Sequence, residues 1–345
     1  MKYNFLPQTQ TLVSEIALGT MTFGQQNTES EGHNQLDFAL DAGINFVDTA
    51  EMYSVPSQKE TSGSTEKIIG SWLKKSGKRD QIILATKIAG PNRGMDFIRE
   101  DLAYNSKTIK EAVEKSLHRL QTDYIDLYQL HWPERKTNYF GQRSFSLDDD
   151  SWEDNIQTIL QSLQELIAQG KIKHIGLSNE TPWGLMRFLE ESKKHDLPRI
   201  STVQNPYSLL NRTFESGLSE VCHYEKVGLL AYSPLAFGVL TGKFLTGETL
   251  SNARIHLFPR FSRYNSENAT KATILYHQIA KDNGLTLTQM SLAFIRHQFF
   301  TTSTIIGATD LKQLQENIQT SQITLTQKIM DEINQVQELY PNPSP

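Results

Sequence analysis

Cysteine is nearly missing from this chain of 345 residues, in which Cys222 stands alone. A single thiol cannot close an intrachain disulfide or build a thiolate metal cluster, so Cys222 is expected to be a small buried or half-buried side chain. Long apolar runs are missing too. Nothing approaches the about 18 consecutive apolar residues of a membrane-crossing helix, and the opening Met1–Pro7 has no apolar core of signal-peptide length. A cytoplasmic protein with no membrane partner is therefore expected. There is no basic excess: 34 Lys and Arg face 39 Asp and Glu, for a net charge of -5. Without a clustered Lys/Arg stripe the chain cannot neutralise a phosphate backbone, which excludes a nucleic-acid partner. No Gly-x-Gly-x-x-Gly follows a strand-like run, and no linker, low-complexity run or tandem repeat divides residues 1–345, which are read as one domain.

What is present is a soluble globular composition, 38% apolar and 21% charged, long enough for one large α/β barrel or two ordinary domains. Residues Lys2 to Gly19 read as two short strands around a polar turn, with Leu12, Val13, Ile16 and Leu18 as their apolar positions. Helical spacing then runs from Thr28 to Ala42 and stops at Gly43, and Ile44 to Val47 forms a short apolar strand. A helix with a Ser or Thr cap follows from Ser64 to Leu73. Next come a strand at Gln81–Lys87, a helix at Ser106–Leu120 and a strand at Tyr124–His131. After a long polar loop from Pro133 to Ser151, the helix Ile156–Ala168 leads to the strand Ile172–Ser178.

The alternation continues with a helix at Trp183–Lys194, a strand at Ser201–Gln204, a helix at Ser216–Tyr224 and a strand at Val227–Tyr232. Helices at Glu267–Asn283 and Leu287–His297 precede a strand at Ser303–Ile306, and an eighth is expected at Ile318–Ile323. Short apolar strands alternating with helices predict a (β/α)8 TIM barrel, its bottom closed by the N-terminal β-hairpin and long loops at its C-terminal face. The acidic run Asp148–Asp150 is expected to start a helix or face solvent rather than hold a metal.

Polar residues stand where the strands end. Asp48 and Tyr53 follow the strand Ile44–Val47; Lys87, His131, Ser178 with Asn179, Gln204 and Tyr232 with Ser233 close the five that follow. In a barrel all these ends face one mouth, so the side chains converge. The set contains no nucleophile beside a base, no well-placed carboxylate pair of the glycosidase kind and no metal-ligand spacing. It suits proton donation. A free phenol has a pKa of about 10, and a lysine ammonium about 4 Å away at an effective dielectric near 20 favours the phenolate by roughly 4 kcal/mol, about three pKa units before the opposing cost of burial. Lys87 is thus expected to tune Tyr53, with Asp48 keeping the lysine charged and His131 bonding the oxygen that Tyr53 protonates. Hydride addition to a carbonyl makes such an oxygen, and the hydride has to come from a cofactor.

The segments Gly43–Tyr53, Ala85–Lys87, Asp126–His131, Gly176–Asn179, Val203–Tyr207, Tyr232–Leu235, Ile306–Asp310 and Glu316–Asn317 resemble the aldo-keto reductases in the same order over nearly the whole chain. The loop after Tyr53, Leu177–Thr181 and the insertion near Asn138–Gly141 are most similar to the bacterial Tas-type branch. The resemblance implies Tyr53 as general acid, Lys87 and Asp48 tuning it, and His131 orienting a small-molecule carbonyl substrate. It implies a cofactor, NADP(H) ahead of NAD(H), with Ser178, Asn179 and Gln204 on the carboxamide and Tyr232 under the nicotinamide ring. Gly19, Thr20 and Met21 join this set, as do Ser233, Leu235, Gly242, Lys243 and Arg254 near the pyrophosphate, and Gly307, Thr309, Gln313, Glu316 and Asn317 around the adenosine half.

Ala308 and Gln313 stand where many relatives carry a Lys and an Arg for the 2′-phosphate; Lys243, Arg254 and Lys312 are the cations available to compensate. Met21, Phe23, Tyr53, Trp132 and Tyr139 are candidates for an apolar substrate wall. Two alternatives stay open: a non-catalytic nicotinamide-binding sensor or scaffold, and a sugar-processing barrel that uses Asp48 and Glu51. Otherwise Glu51 is a structural or solvent-facing neighbour.

Overall fold

The computed structural model describes residues 1–142, 144–146, 152–245, 253–258 and 262–345. Its strands are β1 (Tyr3–Phe5), β2 (Leu12–Ser14), β3 (Ile16–Gly19), β4 (Phe46–Asp48), β5 (Ile83–Ile88), β6 (Ile125–Leu130), β7 (Ile172–Ser178), β8 (Ile200–Pro206), β9 (Gly228–Tyr232) and β10 (Thr301–Ile306). The last eight form a closed barrel of parallel neighbours, β3 to β9 in sequence order with β10 between β9 and β3. Helices α1 (Glu29–Asp41), α2 (Ser64–Ser76), α3 (Ser106–Leu120), α4 (Ile156–Ala168), α5 (Pro182–His195) and α6 (Leu218–Glu225) alternate with the strands. α7 (Arg254–Leu257), α8 (Glu267–Asp282), α9 (Leu287–Arg296), α10 (Leu311–Gln319) and α11 (Gln327–Leu339) complete the chain. The fold is the expected (β/α)8 barrel. The run Asp148–Asp150 lies outside the described residues, and no described helix is long and apolar enough to cross a membrane.

Two strand assignments change. The N-terminal hairpin is made of β1 and β2 alone, paired antiparallel with Tyr3 opposite Ser14, and the chain passes through Glu15 directly into β3. Ile16–Gly19 is therefore the first barrel strand and Ile44–Val47 contributes to the second. At the other end, Ile318–Ile323 is no strand: it spans the end of α10 and a short 3-10 turn at Thr320–Gln322. Leu314, Asn317 and Ile318 are buried at three- and four-residue spacing, the period of a helix face. The cap of α2 also differs. Its N-cap is Gly63 at φ 77°, and the hydroxyls of Ser64 and Thr65 instead donate to the carbonyl of Phe23.

The two-residue period of the strands builds the barrel interior in layers. Ala17, Phe46, Ala85, Leu127, Leu230 and Ile305 form an apolar layer, closed from below by Leu6 and Val13 of the hairpin. Two residues further along, the same inward parity brings up Gly19, Asp48, Lys87, Gln129 and Tyr232, and register places Ser178 beside Gln204 and Lys87 beside Gln129. A polar layer thus rests on an apolar plug at the mouth. Gly19 is needed there for closeness: a Cβ would stand 2.7 Å from Ile305 and 3.1 Å from the Ile306 carbonyl.

Candidate active site

Above the polar layer opens a cleft of about 1160 Å³, large enough for a dinucleotide and a small substrate together. At its floor the Lys87 ammonium, wholly buried, donates to Asp48 Oδ2 at 2.7 Å and to the Thr49 carbonyl at 2.8 Å. The other Asp48 oxygen accepts from Gln204 Nε2 at 2.8 Å and Gln129 Nε2 at 3.4 Å, while Thr20 Oγ1 donates to the Asp48 carbonyl at 2.8 Å. The carboxylate is thereby held by three side chains from three strands. Tyr53 lies over this pair, its ring centroid 5.0 Å from Lys87 Nζ, and meets His131 edge-on at 5.7 Å between ring centroids. Asp48, Tyr53 and His131 line the cleft, and Lys87 sits just beneath the wall.

Electrostatics differ from the sequence expectation in one respect. Burial pushes the Tyr53 phenol above its ordinary range, Asp48 adds to that and Arg254 opposes it. Burial likewise depresses the Lys87 ammonium, with Asp48 working the other way. Desolvation therefore outweighs the lowering expected from Lys87, and Arg254 is a further cation that opposes the rise. Tyr53 holds its proton firmly. The His131 imidazole is pushed well below 6.5 by burial and by the charges of Lys87 and Arg93, so it is neutral at physiological pH.

The residues expected to surround a cofactor, Gly242 apart, line one continuous wall. Asn179, at φ 56° where asparagine is tolerated, donates to the His131 carbonyl at 2.8 Å and to Ser178 Oγ at 3.0 Å, and accepts from the Tyr232 hydroxyl at 2.5 Å. Ser178 Oγ donates to the Gln204 carbonyl at 2.8 Å. Gly19, Thr20, Met21, Ser233, Leu235, Lys243 and Arg254 continue the lining toward Gly307, Thr309, Gln313, Glu316 and Asn317. At that far end the N-termini of α9 and α10 open onto the cleft, capped by Thr286 and Asp310, and Gln313 ties the α10 turn together by bonding Thr309 and Asp310. Helix N-termini of this kind suit anionic groups.

Several expectations are corrected. Gly242 does not line the cleft; it is a turn glycine at φ 79° facing His277. Lys312 is exposed and off the cleft, which leaves Lys243 near the α10 N-terminus, while Arg254 lies toward Met21 and Tyr53. Phe23 is a core residue under α2, and the wall near Tyr53 is made by Met21, Met52, Val55, Trp132 and Phe140, with Tyr139 behind Phe140. Glu51 is buried, paired with Arg99 and accepting the Ala89 N–H, and so cannot serve as a second cleft carboxylate. That removes the geometry a sugar-processing reading needs.

Gln129, Thr286, Thr288, Arg93 and Arg263 escaped the sequence reading. Gln129 was detectable: in Ile125–Leu130 it shares the inward parity of Leu127 and is the one polar residue there on the barrel axis. Arg93 and Arg263 lie in loops, where no periodicity marks direction.

A family model described as "Aldo/keto reductase family" matches residues 15–338. Over their full lengths the chain is 50% identical to "Protein tas" of Escherichia coli (strain K12). It is 32% identical to "Uncharacterized oxidoreductase YrpG" of Bacillus subtilis (strain 168), over 99% of this chain and 97% of that protein. It is 30% identical to "Aldo-keto reductase YhdN" of the same bacterium, over 98% and 94%.

Proposed function

Because the chain belongs to the aldo/keto reductase family, we propose that it is an oxidoreductase that reduces aldehyde or ketone carbonyls to alcohols with NADP(H), Tyr53 acting as general acid. One observation carries this reading: a protonated phenol and a neutral imidazole face a large cleft directly above a buried, hydrogen-bonded Lys87–Asp48 pair.

The donor set fits a nicotinamide dinucleotide. Asn179, Ser178 and Gln204 offer amide and hydroxyl groups to a carboxamide, Tyr232 offers an aromatic face, and Lys243, Arg254 and two helix N-termini offer positive potential to phosphates. Arg254 is well suited to this, because it is half-buried on the cleft wall, pulled down to about 10 by desolvation, and bonded only weakly to Gln26 and Met21. A bound phosphate would relieve that cost. NADP(H) is preferred to NAD(H) because Lys243 stands near enough to the α10 N-terminus to feel the charge of Asp310 there.

The nicotinamide, when bound, supplies the hydride. The chain's own residues do the rest. His131, neutral and edge-on to Tyr53, holds the substrate oxygen beside the phenol. Tyr53 gives its proton to that oxygen as negative charge develops there, and the Lys87 ammonium beneath the ring lowers the energy of the phenolate left behind. Asp48 keeps Lys87 charged, and Gln129 and Gln204 fix Asp48. Trp132, Met52 and Phe140 exclude water from the reacting end.

The test is oxidation of NADPH and NADH against a panel of aromatic aldehydes, sugars and α-dicarbonyls. Turnover with NADPH ahead of NADH is expected, and nicotinamide binding without turnover of any carbonyl would leave a sensor or scaffold instead. A pH dependence follows. With the phenol raised and the imidazole lowered, neither group titrates near neutrality, so kcat for reduction should stay flat between about pH 6 and pH 8. A bell with an inflection near pH 6.5 would show that His131 changes charge during turnover.

A further inference from the structure

Where the loops meet over the substrate end, the cleft gathers positive charge that the proposed chemistry does not use. Arg93, in the loop after β5, holds its guanidinium 4.3 Å from the centroid of the Phe140 ring and 5.8 Å from that of Trp132. Trp132 in turn lies 5.0 Å from His131 between ring centroids. Arg263, in the short turn Ser262–Tyr264, packs over the Tyr264 ring at 5.9 Å and reaches the next residue of the same loop: a Cβ on Gly141 would stand 3.2 Å from its Nε. Phe140 and Gly141 therefore bring both cations to one corner, which Pro345 closes from the other side.

Among the described residues no carboxylate pairs with either guanidinium. Their polar neighbours are phenols, Tyr139 and Tyr232 for Arg93, Tyr232 and Tyr264 for Arg263. The two cations also oppose each other: burial lowers Arg93 first and Arg263 adds to it. The described acidic side chains on the cleft are elsewhere, Asp48 on Lys87 and Glu316 beside Thr286. Two guanidiniums at the edge of an aromatic slot, with no acidic side chain among the described residues paired to them, leave a place for an oxyanion.

We propose that Arg93 and Arg263 form a specificity-determining subsite for a carbonyl substrate that carries an anionic group, a carboxylate or a phosphate monoester, at the end away from the carbonyl. The proposal rests on the reductase reading of the same cleft. The rings of Tyr53, His131, Trp132 and Phe140 follow one another from the proton donor to the Arg93 corner, so the path between the two ends is lined by aromatic groups and suits a flat scaffold. The arginine charge reaches the reacting end as well, since it helps to keep His131 neutral.

The test compares para-formylbenzoate, para-formylphenyl phosphate and the neutral methyl ester of para-formylbenzoate as substrates with NADPH. The protein should favour at least one charged aldehyde over the ester by about tenfold or more in kcat/KM, and the ratio of the two charged ones shows which anion the corner takes. In Arg93→Gln and Arg263→Gln that preference should shrink about tenfold through a higher KM for the charged aldehyde, with partial rescue in Arg263→Lys. Equal use of charged and neutral aldehydes, or variants that weaken all three alike, overturns the subsite. If no aldehyde is reduced, the reductase reading falls. Calorimetric titration with benzoate and phenyl phosphate then decides the subsite alone: binding lost in the double variant upholds it, and no binding to the unaltered protein overturns it.

Discussion

Tyr53→Phe is expected to lower kcat for aldehyde reduction by about 10²–10⁴-fold, the usual weight of a positioned general acid, while NADPH affinity stays within about twofold. The substitution removes one oxygen and keeps the ring that packs against His131 and above Lys87. Shape is preserved and only the proton is gone. Phe cannot protonate the developing alkoxide, so the loss appears in kcat and in kcat/KM alike. Turnover measured beside NADPH fluorescence titration separates the two effects. Rates close to those of the unaltered protein would move the acid elsewhere, with His131 as the remaining donor on the cleft wall.

Lys87→Met should cost more than activity. Lys87 and Asp48 are buried together, and Asp48 has no other cation within ion-pair distance among the described residues. Removing one partner strands the other, which typically destabilises by about 3–5 kcal/mol. Thermal unfolding should register that loss, and turnover should fall as well because the phenolate left by Tyr53 is no longer stabilised. The double variant Lys87→Met with Asp48→Asn separates the two roles. It buries no lone charge, so much of the stability should return while turnover stays low. If the double variant regains turnover, the pair only holds the fold together.

Much of this site was legible because barrel chemistry lies where strands end. Asp48, Lys87, His131, Gln204 and Tyr232 each close an apolar run, and a parallel barrel turns that repeated pattern into a shared mouth. Strand order was harder. Only Glu15 separates the hairpin from β3, so two elements looked like one, and the missing strand was sought at Ile318–Ile323, where helical burial of Leu314 and Ile318 prevails. Loop residues were the least readable. Arg93 and Arg263 are 170 positions apart by their own numbering, and only the meeting of Phe140 and Gly141 with both arginines reveals the corner they share. The net balance of charges on the phenol was also hidden, since burial depth and the approach of Arg254 are tertiary facts.

A carbonyl that takes hydride from the nicotinamide while Tyr53 supplies the proton should keep the hydride's label on its carbon. The decisive experiment is reduction of an aldehyde with NADPH deuterated at the transferable position of the nicotinamide. One deuterium is expected on the carbinol carbon of the alcohol for each NADPH oxidised, and almost no labelled product from Tyr53→Phe. Alcohol formed without deuterium, or oxidation of NADPH with no alcohol at all, would contradict that course of reaction.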